Sequence, residues 1–286
     1  MSTITTPQLL KRIPISSLPA STNNSVPYTN MAQFLEEGGF VETKPTGFKM
    51  SKRAFGGVRR GYPDNIKFIF LHHTATRRDV GNEHIVNIFN SRAAPGESKG
   101  STHCSIDENG SIERLFGEAN MAHAQGGTGK PFNTMGMSVE LTAIGYLLDT
   151  PVTHDGKVYY QQKTDHNRKY WVPKADVAMS VDFNGDPKPY KDHIYWEKYS
   201  TAQIISTIAL IKEWCVRYKI PFVFDQSAFD EMFPPKGEIS KKAWDLEPGV
   251  YSHNSVKKSK SDIYPDPTLV SAFKRHFPPG NSYSKF

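Results

Sequence analysis

Apolar positions are unevenly spread along this chain. Residues 1–63 are rich in Ser, Thr, Pro and Gly and carry no sustained period. They read as a poorly packed arm, with one short helix at 31–39. The texture changes at "IKFIFLH" (66–72), an apolar, β-prone run typical of a buried strand. "GNEHIVNIFNSR" (81–92) places Ile85, Ile88 and Phe89 at helical spacing. "THCSIDENGSIERLF" (102–116) reads as two strands around a turn at 107–110, because Asn-Gly favours positive φ in tight hairpins. "GMSVELTAIGY" (136–146) predicts a further strand.

The rhythm breaks over 147–198, which is rich in Asp, Lys, Tyr and Pro. This stretch reads as a long insertion with its own hairpin near "THDGKVYY" (153–160), of the kind that is functional or mobile in compact domains. The clearest helix follows. Ser200 and Gln203 are spaced as a capping box, and Ile204, Ile208, Ile211, Cys215 and Tyr218 form one stripe before Pro221 ends it. "FVFD" (222–225) predicts a short strand, "PGVYSHNS" (248–255) another, and "DPTLVSAFKRHF" (266–277) a last helix. Strands alternating with helices give an α/β fold, in which ligands collect at strand ends. His72 and His253 both stand at such ends.

Composition narrows the class only a little. Seventeen Phe and thirteen Tyr can build a core although only 37% of residues are hydrophobic. No run approaches the ~18 apolar residues of a membrane span. The N-terminus has no apolar stretch followed by a small-residue cleavage site, so no secretory signal is expected. Two cysteines, Cys104 and Cys215, exclude a disulfide framework and a cysteine-based zinc cluster. A net charge of +6 favours polyanions without choosing among them. No nucleic-acid signature is present.

The chemistry-bearing residues are dispersed: His72, His73, His103, His123, Glu140, His253, Asp262 and Asp266. There is no HExxH helix and no CxxC. Two histidines and a carboxylate with an open position would have the composition of a catalytic zinc site. Adjacent strand side chains point to opposite faces, so His72 and His73 cannot both easily reach one ion.

The order of the motifs adds information. "FIFLHHTAT", "STHCSIDENGSIERLF", "AHAQGG" with "MSVEL", a "YSTAQI" helix and "GVYSHNSVKKSKSD" together resemble the zinc-dependent N-acetylmuramoyl-L-alanine amidases. This is the type-2 amidase family, which includes phage lysozyme-type amidases and peptidoglycan recognition proteins. The resemblance covers about 64–146 and 199–275 and leaves out the arm and the insertion. It implies a central mixed β-sheet flanked by helices, carrying a long insertion. The expected domains are an arm over 1–63, a catalytic domain over 64–280 interrupted at 147–198, and a tail over 281–286.

The resemblance also implies roles. His72 and His253 would be zinc ligands, and the third would be an acidic residue two positions after a Lys or just before a Pro. Lys260-Ser261-Asp262 fits the first form and Asp266-Pro267 the second. Asp262 is preferred, and Asp266 suits a helix N-cap. Glu140 would be the general base and Lys260 would stabilise the oxyanion. His123, Gly126, Gly127 and Asn133 would line the stem-peptide groove. His73 is either a packing or hydrogen-bonding residue or a member of that substrate set. His103 lacks the preceding Tyr of the phage lysozyme branch and is expected to be structural. The implied cofactor is Zn²⁺ and the implied partner is bacterial peptidoglycan, acted on by a monomer without nucleic acid or membrane span. The expected setting is phage-mediated lysis, with the enzyme made in the host cytoplasm and acting on the periplasmic wall. A virion-associated protein, a wall-recycling amidase and a non-catalytic peptidoglycan-binding module are the alternatives.

Overall fold

The computed structural model describes residues 62–92, 100–115, 117–126, 128–163 and 169–281, together with three short strands upstream. Those strands are β1 (Arg12–Ile13), which pairs in parallel with β2 (Phe40–Val41), and β3 (Phe55–Val58). The helix expected at 31–39 lies outside the described residues.

The centre is a five-stranded sheet. It contains β4 (Phe68–His73), β5 (Cys104–Ile106), β6 (Ile112–Arg114), β8 (Gly136–Leu141) and β14 (Gly249–Ser252), in the order β14-β4-β8-β5-β6. The β14/β4, β4/β8 and β8/β5 pairs are parallel, whereas β5 and β6 form an antiparallel hairpin. At its turn Gly110 has φ +78°, and a Cβ there would lie 2.7 Å from the Ala202 carbonyl oxygen. Only glycine meets both conditions without strain. β7 (Asn120–Ala122) pairs with β3 outside this sheet.

The period-2 pleat gives the sheet two faces with different work. One carries Ile69, Leu71, Cys104, Ile106, Met137, Val139, Leu141 and Val250, all in the main core. Against it pack two helices, α3 (Thr201–Tyr218) and α6 (Pro267–His276). The expected capping box is present, since Ser200 accepts from the Gln203 N–H and Gln203 accepts from the Ser200 N–H. The stripe Ile204, Ile208, Ile211, Cys215 and Tyr218 is buried throughout. Glu118, just before β7, ties α3 to the sheet edge by accepting from Arg114 and Trp214.

The opposite face carries an aromatic pad. Phe68, Phe70 and Tyr251 pack with Phe132 from α2 (Phe132–Met135). Phe132 meets Phe68 and Phe70 edge-on, at centroid distances of 5.6 and 5.8 Å. Gly136 makes room for this, since a Cβ there would sit 2.8 Å from the Phe70 ring and 2.6 Å from the Phe132 carbonyl oxygen. The remaining helices are α1 (Asn82–Arg92), α4 (Gln226–Met232) and α5 (Lys241–Trp244). α1 buries Ile85 and Phe89 as its spacing predicts. The strand expected at 222–225 does not form. Phe222 and Phe224 instead insert into the main core beside α6, and the Phe224 N–H bonds the Phe277 carbonyl rather than a sheet edge.

The described residues of 147–198 form strands rather than a loose loop. β9 (Val152–His154), β10 (Lys157–Lys163) and β11 (Lys169–Pro173) form an antiparallel sheet. The expected hairpin is there, with positive φ at Asp155 and Gly156. β12 (Val177–Met179) then pairs with β13 (Tyr195–Glu197). Trp196 is fully buried and stacks on Tyr264 at 4.7 Å. Glu197 accepts from the Ile144 N–H at 2.6 Å. Arg78 donates to Asp176 at 2.8 Å and to the Lys198 carbonyl at 3.0 Å, and it ion-pairs with Glu108 at 3.0 Å.

Burial pushes the Glu197 carboxyl up to about 7 from 4.5, against the pull of the Ile144 N–H and Arg78. Between those two pH values the native state holds more protons than the unfolded chain, so stability falls as pH rises through the window. Glu197→Gln removes that titration. The stability difference between wild type and Glu197→Gln, from urea unfolding at pH 4 to 9, should move in favour of the variant up to pH ~7 and then stay flat. The shift should be on the order of 3 kcal/mol at most. A pH-independent difference would refute the assignment.

Candidate metal centre at the strand ends

The four parallel strands finish on the same side of the sheet, and their last residues form a row. Phe70 is the register partner of Tyr251, so two residues later His72 and His253 come together above the aromatic pad. His72 is the partner of Glu140, Glu140 of Ser105, and Ser105 of Glu113. His253 sits just past β14 in a single 3₁₀ turn, His253–Ser255. That turn is held by Ser255, whose hydroxyl accepts from the Ser252 N–H at 3.1 Å.

The chain then curls back over 256–261 and delivers Asp262. Asn254 fixes the return by donating its side-chain amide to the carbonyls of Asp262 and Ile263. One carboxylate oxygen, Asp262 Oδ2, lies 3.1 Å from His72 Nδ1 and 2.9 Å from His253 Nδ1. The two rings meet edge-on with centroids 4.7 Å apart. Ligand atoms from His72, His253 and Asp262 all fall within 4.8 Å of one another. Both histidines are buried, and the Asp262 side chain is 14% exposed. Desolvation pushes the Asp262 carboxyl up, but His253 and His72 outweigh it and hold it well below the usual carboxylate range. A buried anion flanked by two imidazole nitrogens is a donor set that fits a divalent cation. His253 Nε2 is buried with no hydrogen-bond partner, so the protein itself leaves this cluster incompletely satisfied.

The other candidates divide clearly. Asp266 is a helix cap: Oδ1 accepts from the Thr268 and Leu269 N–H groups, and Oδ2 from the Tyr264 hydroxyl. Its carboxylate is thus engaged by the start of α6 and by Tyr264. Glu140 is half-buried on the same face as His72, one strand over. Lys260 is half-buried on the return turn, two residues before Asp262.

His73 stands apart from the His72, His253 and Asp262 cluster. The pleat turns it to the opposite face, where it is 8% exposed, 3.4 Å from the Tyr199 hydroxyl and pressed against Gly145. Burial pushes its imidazole down to about 4, so it is a neutral packing residue. His103 is buried and hydrogen-bonded within the fold. Its Nδ1 accepts from the Ser138 N–H at 3.1 Å, which leaves Nε2–H to donate to the Asn120 carbonyl.

His123 directly follows β7 and is half-buried, with its backbone N–H donated to Ser101. Asn133 turns out to hold this loop rather than present its amide to a groove. Its Oδ1 accepts from the Gln125 N–H at 2.9 Å, and its Nδ2 donates to the Gly126 carbonyl at 3.1 Å. Gly127 lies outside the described residues. Two residues near the site carried no spacing signal. Gln125 places its amide nitrogen 2.9 Å from His72 Nε2, and Lys257 comes over Gly126.

Comparison with known proteins identifies the family. The N-acetylmuramoyl-L-alanine amidase model, Amidase_2, matches residues 62–265, more than two thirds of the chain. The chain belongs to that family, and it is an amidase that acts on peptidoglycan. Among solved structures, the N-acetylmuramoyl-L-alanine amidase LysC from Clostridium intestinale URNW is 15% identical with a TM-score of 0.39, covering 82% of this chain and 94% of that one. PlyL is 14% identical with a TM-score of 0.38, covering 80% and 94%. AmiD from E. coli, solved with anhydro-N-acetylmuramic acid-L-Ala-D-gamma-Glu-L-Lys, is 19% identical with a TM-score of 0.31, covering 62% and 52%. No curated protein matches the chain. Among the described residues, no helix is long and apolar enough to cross a membrane.

The two aspartates are separable by experiment. Asp262→Ala should abolish stoichiometric metal binding in elemental analysis. Asp266→Ala should keep the metal and lose about 1–2 kcal/mol of stability through the missing cap. Metal loss in Asp266→Ala with retention in Asp262→Ala would reverse the assignment.

Proposed function

We propose that the chain cleaves the amide between the lactyl group of N-acetylmuramic acid and L-alanine with a Zn²⁺ held by His72, His253 and Asp262. The observation that carries this reading is the convergence of two buried imidazoles, at 3.1 and 2.9 Å, on one oxygen of the half-buried Asp262, beside Glu140. When bound, zinc supplies a Lewis acid for the scissile carbonyl and lowers the pKa of a coordinated water towards about 7. The remaining work falls to the chain. Glu140, adjacent to His72 on the same face, takes the proton of the attacking water and returns it to the leaving amine. Lys260, on the turn beside Asp262, offers positive charge to the oxyanion of the tetrahedral intermediate. His123, Gly126 and Gly129 line the stem-peptide side.

The biological role proposed is phage-mediated lysis of the cell wall. The additional sheets of 147–198 support it over a compact wall-recycling enzyme. A non-catalytic wall-binding module is the competing class, and turnover separates the two.

Digestion of purified peptidoglycan should release new L-alanine amino termini in mass spectrometry and no new reducing sugars. Glu140→Gln should keep zinc and lose at least about 100-fold in turnover, the usual scale of a general base. His72→Ala should lose both metal and turnover. New reducing ends, or full activity in Glu140→Gln, would defeat the reading.

A further inference from the structure

Gln125 is 1% exposed, and its side chain ends against the far side of the His72 ring. Its amide nitrogen lies 2.9 Å from His72 Nε2, while its own carbonyl oxygen, Oε1, is buried with no hydrogen-bond partner. The position is fixed from behind. Asn133 clamps the backbone on both sides of it, and Asn133 sits on α2 next to Phe132, which is locked into the aromatic pad. The loop therefore does not drift past His72 by chance. It is anchored to the same pad that supports the ring.

Two complementary proton arrangements fit this contact. In one, the amide N–H donates to a bare Nε2, so the imidazole proton is on Nδ1 and points at Asp262. This satisfies His72 but strands Oε1 in the interior. In the other, the amide turns over about its last bond. Oε1 then accepts from Nε2–H, and Nδ1 keeps its lone pair directed to the place where Asp262 and His253 converge. Only the second arrangement leaves His72 Nδ1 able to ligate a cation; it pairs Oε1 and turns the amide N–H groups to the side that Oε1 occupied. A ligating histidine is held by the acceptor on its other nitrogen, which sets both tautomer and ring orientation.

We infer that Gln125 is a positioning residue for the metal centre, its carbonyl fixing His72 as the Nε2–H tautomer so that Nδ1 faces the cation. A glutamine can serve both arrangements, as donor without the ion and as acceptor with it. This inference rests on the zinc reading above and adds a residue to it.

The test uses the full chain. Zinc affinity is measured by competition with a chromophoric chelator for wild type, Gln125→Met and Gln125→Glu. Long-range ¹H–¹⁵N spectra of the zinc-loaded wild type are recorded with His72 assigned. Gln125→Met, which removes the acceptor at similar volume, should weaken zinc binding about 10- to 100-fold. Gln125→Glu, which keeps an acceptor, should restore binding to within about 3-fold of wild type or tighter. The wild-type spectrum should place the proton on His72 Nε2 and the metal on Nδ1. Unchanged affinity in Gln125→Met, or a His72 that ligates through Nε2, overturns the inference while leaving the zinc centre intact. A wild type that binds no zinc overturns both. The spectrum needs no variant, so it decides the matter even if a substitution fails to fold.

Discussion

The site depends on one buried negative charge. Asp262 Oδ2 has an imidazole nitrogen on either side, and that oxygen joins the end of β4 to the turn beyond β14. A buried carboxylate is costly unless it is paired and hydrogen-bonded. The chain meets that cost with local devices. The 3₁₀ turn over His253–Ser255 presents one ring, Asn254 holds the returning backbone, and the pleat presents the other ring. Removing either ring would leave the charge half-compensated, so these parts are mutually dependent. A donor set held together by its own anion is also prepared for a metal, because little side-chain ordering remains to be done on binding.

The sheet makes this possible by separating packing from chemistry. On one face β4 contributes Ile69 and Leu71 to the core under α3 and α6. On the other, Phe68 and Phe70 build the aromatic pad and His72 stands above it. Rigidity and reactivity come from the same six residues, interleaved by the period-2 pleat. His73 falls on the packing side of that division. Its neighbour on the sequence is a candidate ligand, yet its own ring is enclosed by Tyr199 and Gly145 and kept neutral by burial.

What could be read from sequence follows from the range of the physics involved. Local periodicity and caps located β4, α1, the β5–β6 hairpin, β8, α3, β14 and α6. Each of these carries its signal within one segment, as Ser200 and Gln203 do for α3. The family resemblance brought His72, His253 and Asp262 together across 190 residues, which no periodicity could do. The misplacements are non-local. "FVFD" alternates like a strand, but whether it finds a sheet neighbour depends on where α6 ends. Asn133 is a polar loop residue by sequence, and only the path of the 125–126 backbone shows that its amide is already used. Gln125 carried no signal of period or spacing, and only the folded loop brings its amide to His72.

The insertion takes its place in the same logic. The loop that leaves β4 after His73 must be held, or the strand end carrying His72 would fray. Arg78 does this from within the loop. Its guanidinium reaches Asp176 and the Lys198 carbonyl in the insertion and Glu108 in the β5–β6 turn, while its carbonyl accepts from Thr142 at the end of β8. Glu197 adds a second tie, taking the Ile144 N–H just past β8. Trp196, stacked on Tyr264, joins the insertion to the segment that follows Asp262. The described residues of 147–198 therefore brace both chain segments that carry the candidate metal ligands. A surface decoration would make contacts that the ligand-bearing strands could lose without consequence. Here the contacts fall on the residues next to the ligands, and the geometry at His72 and Asp262 is partly a property of the insertion.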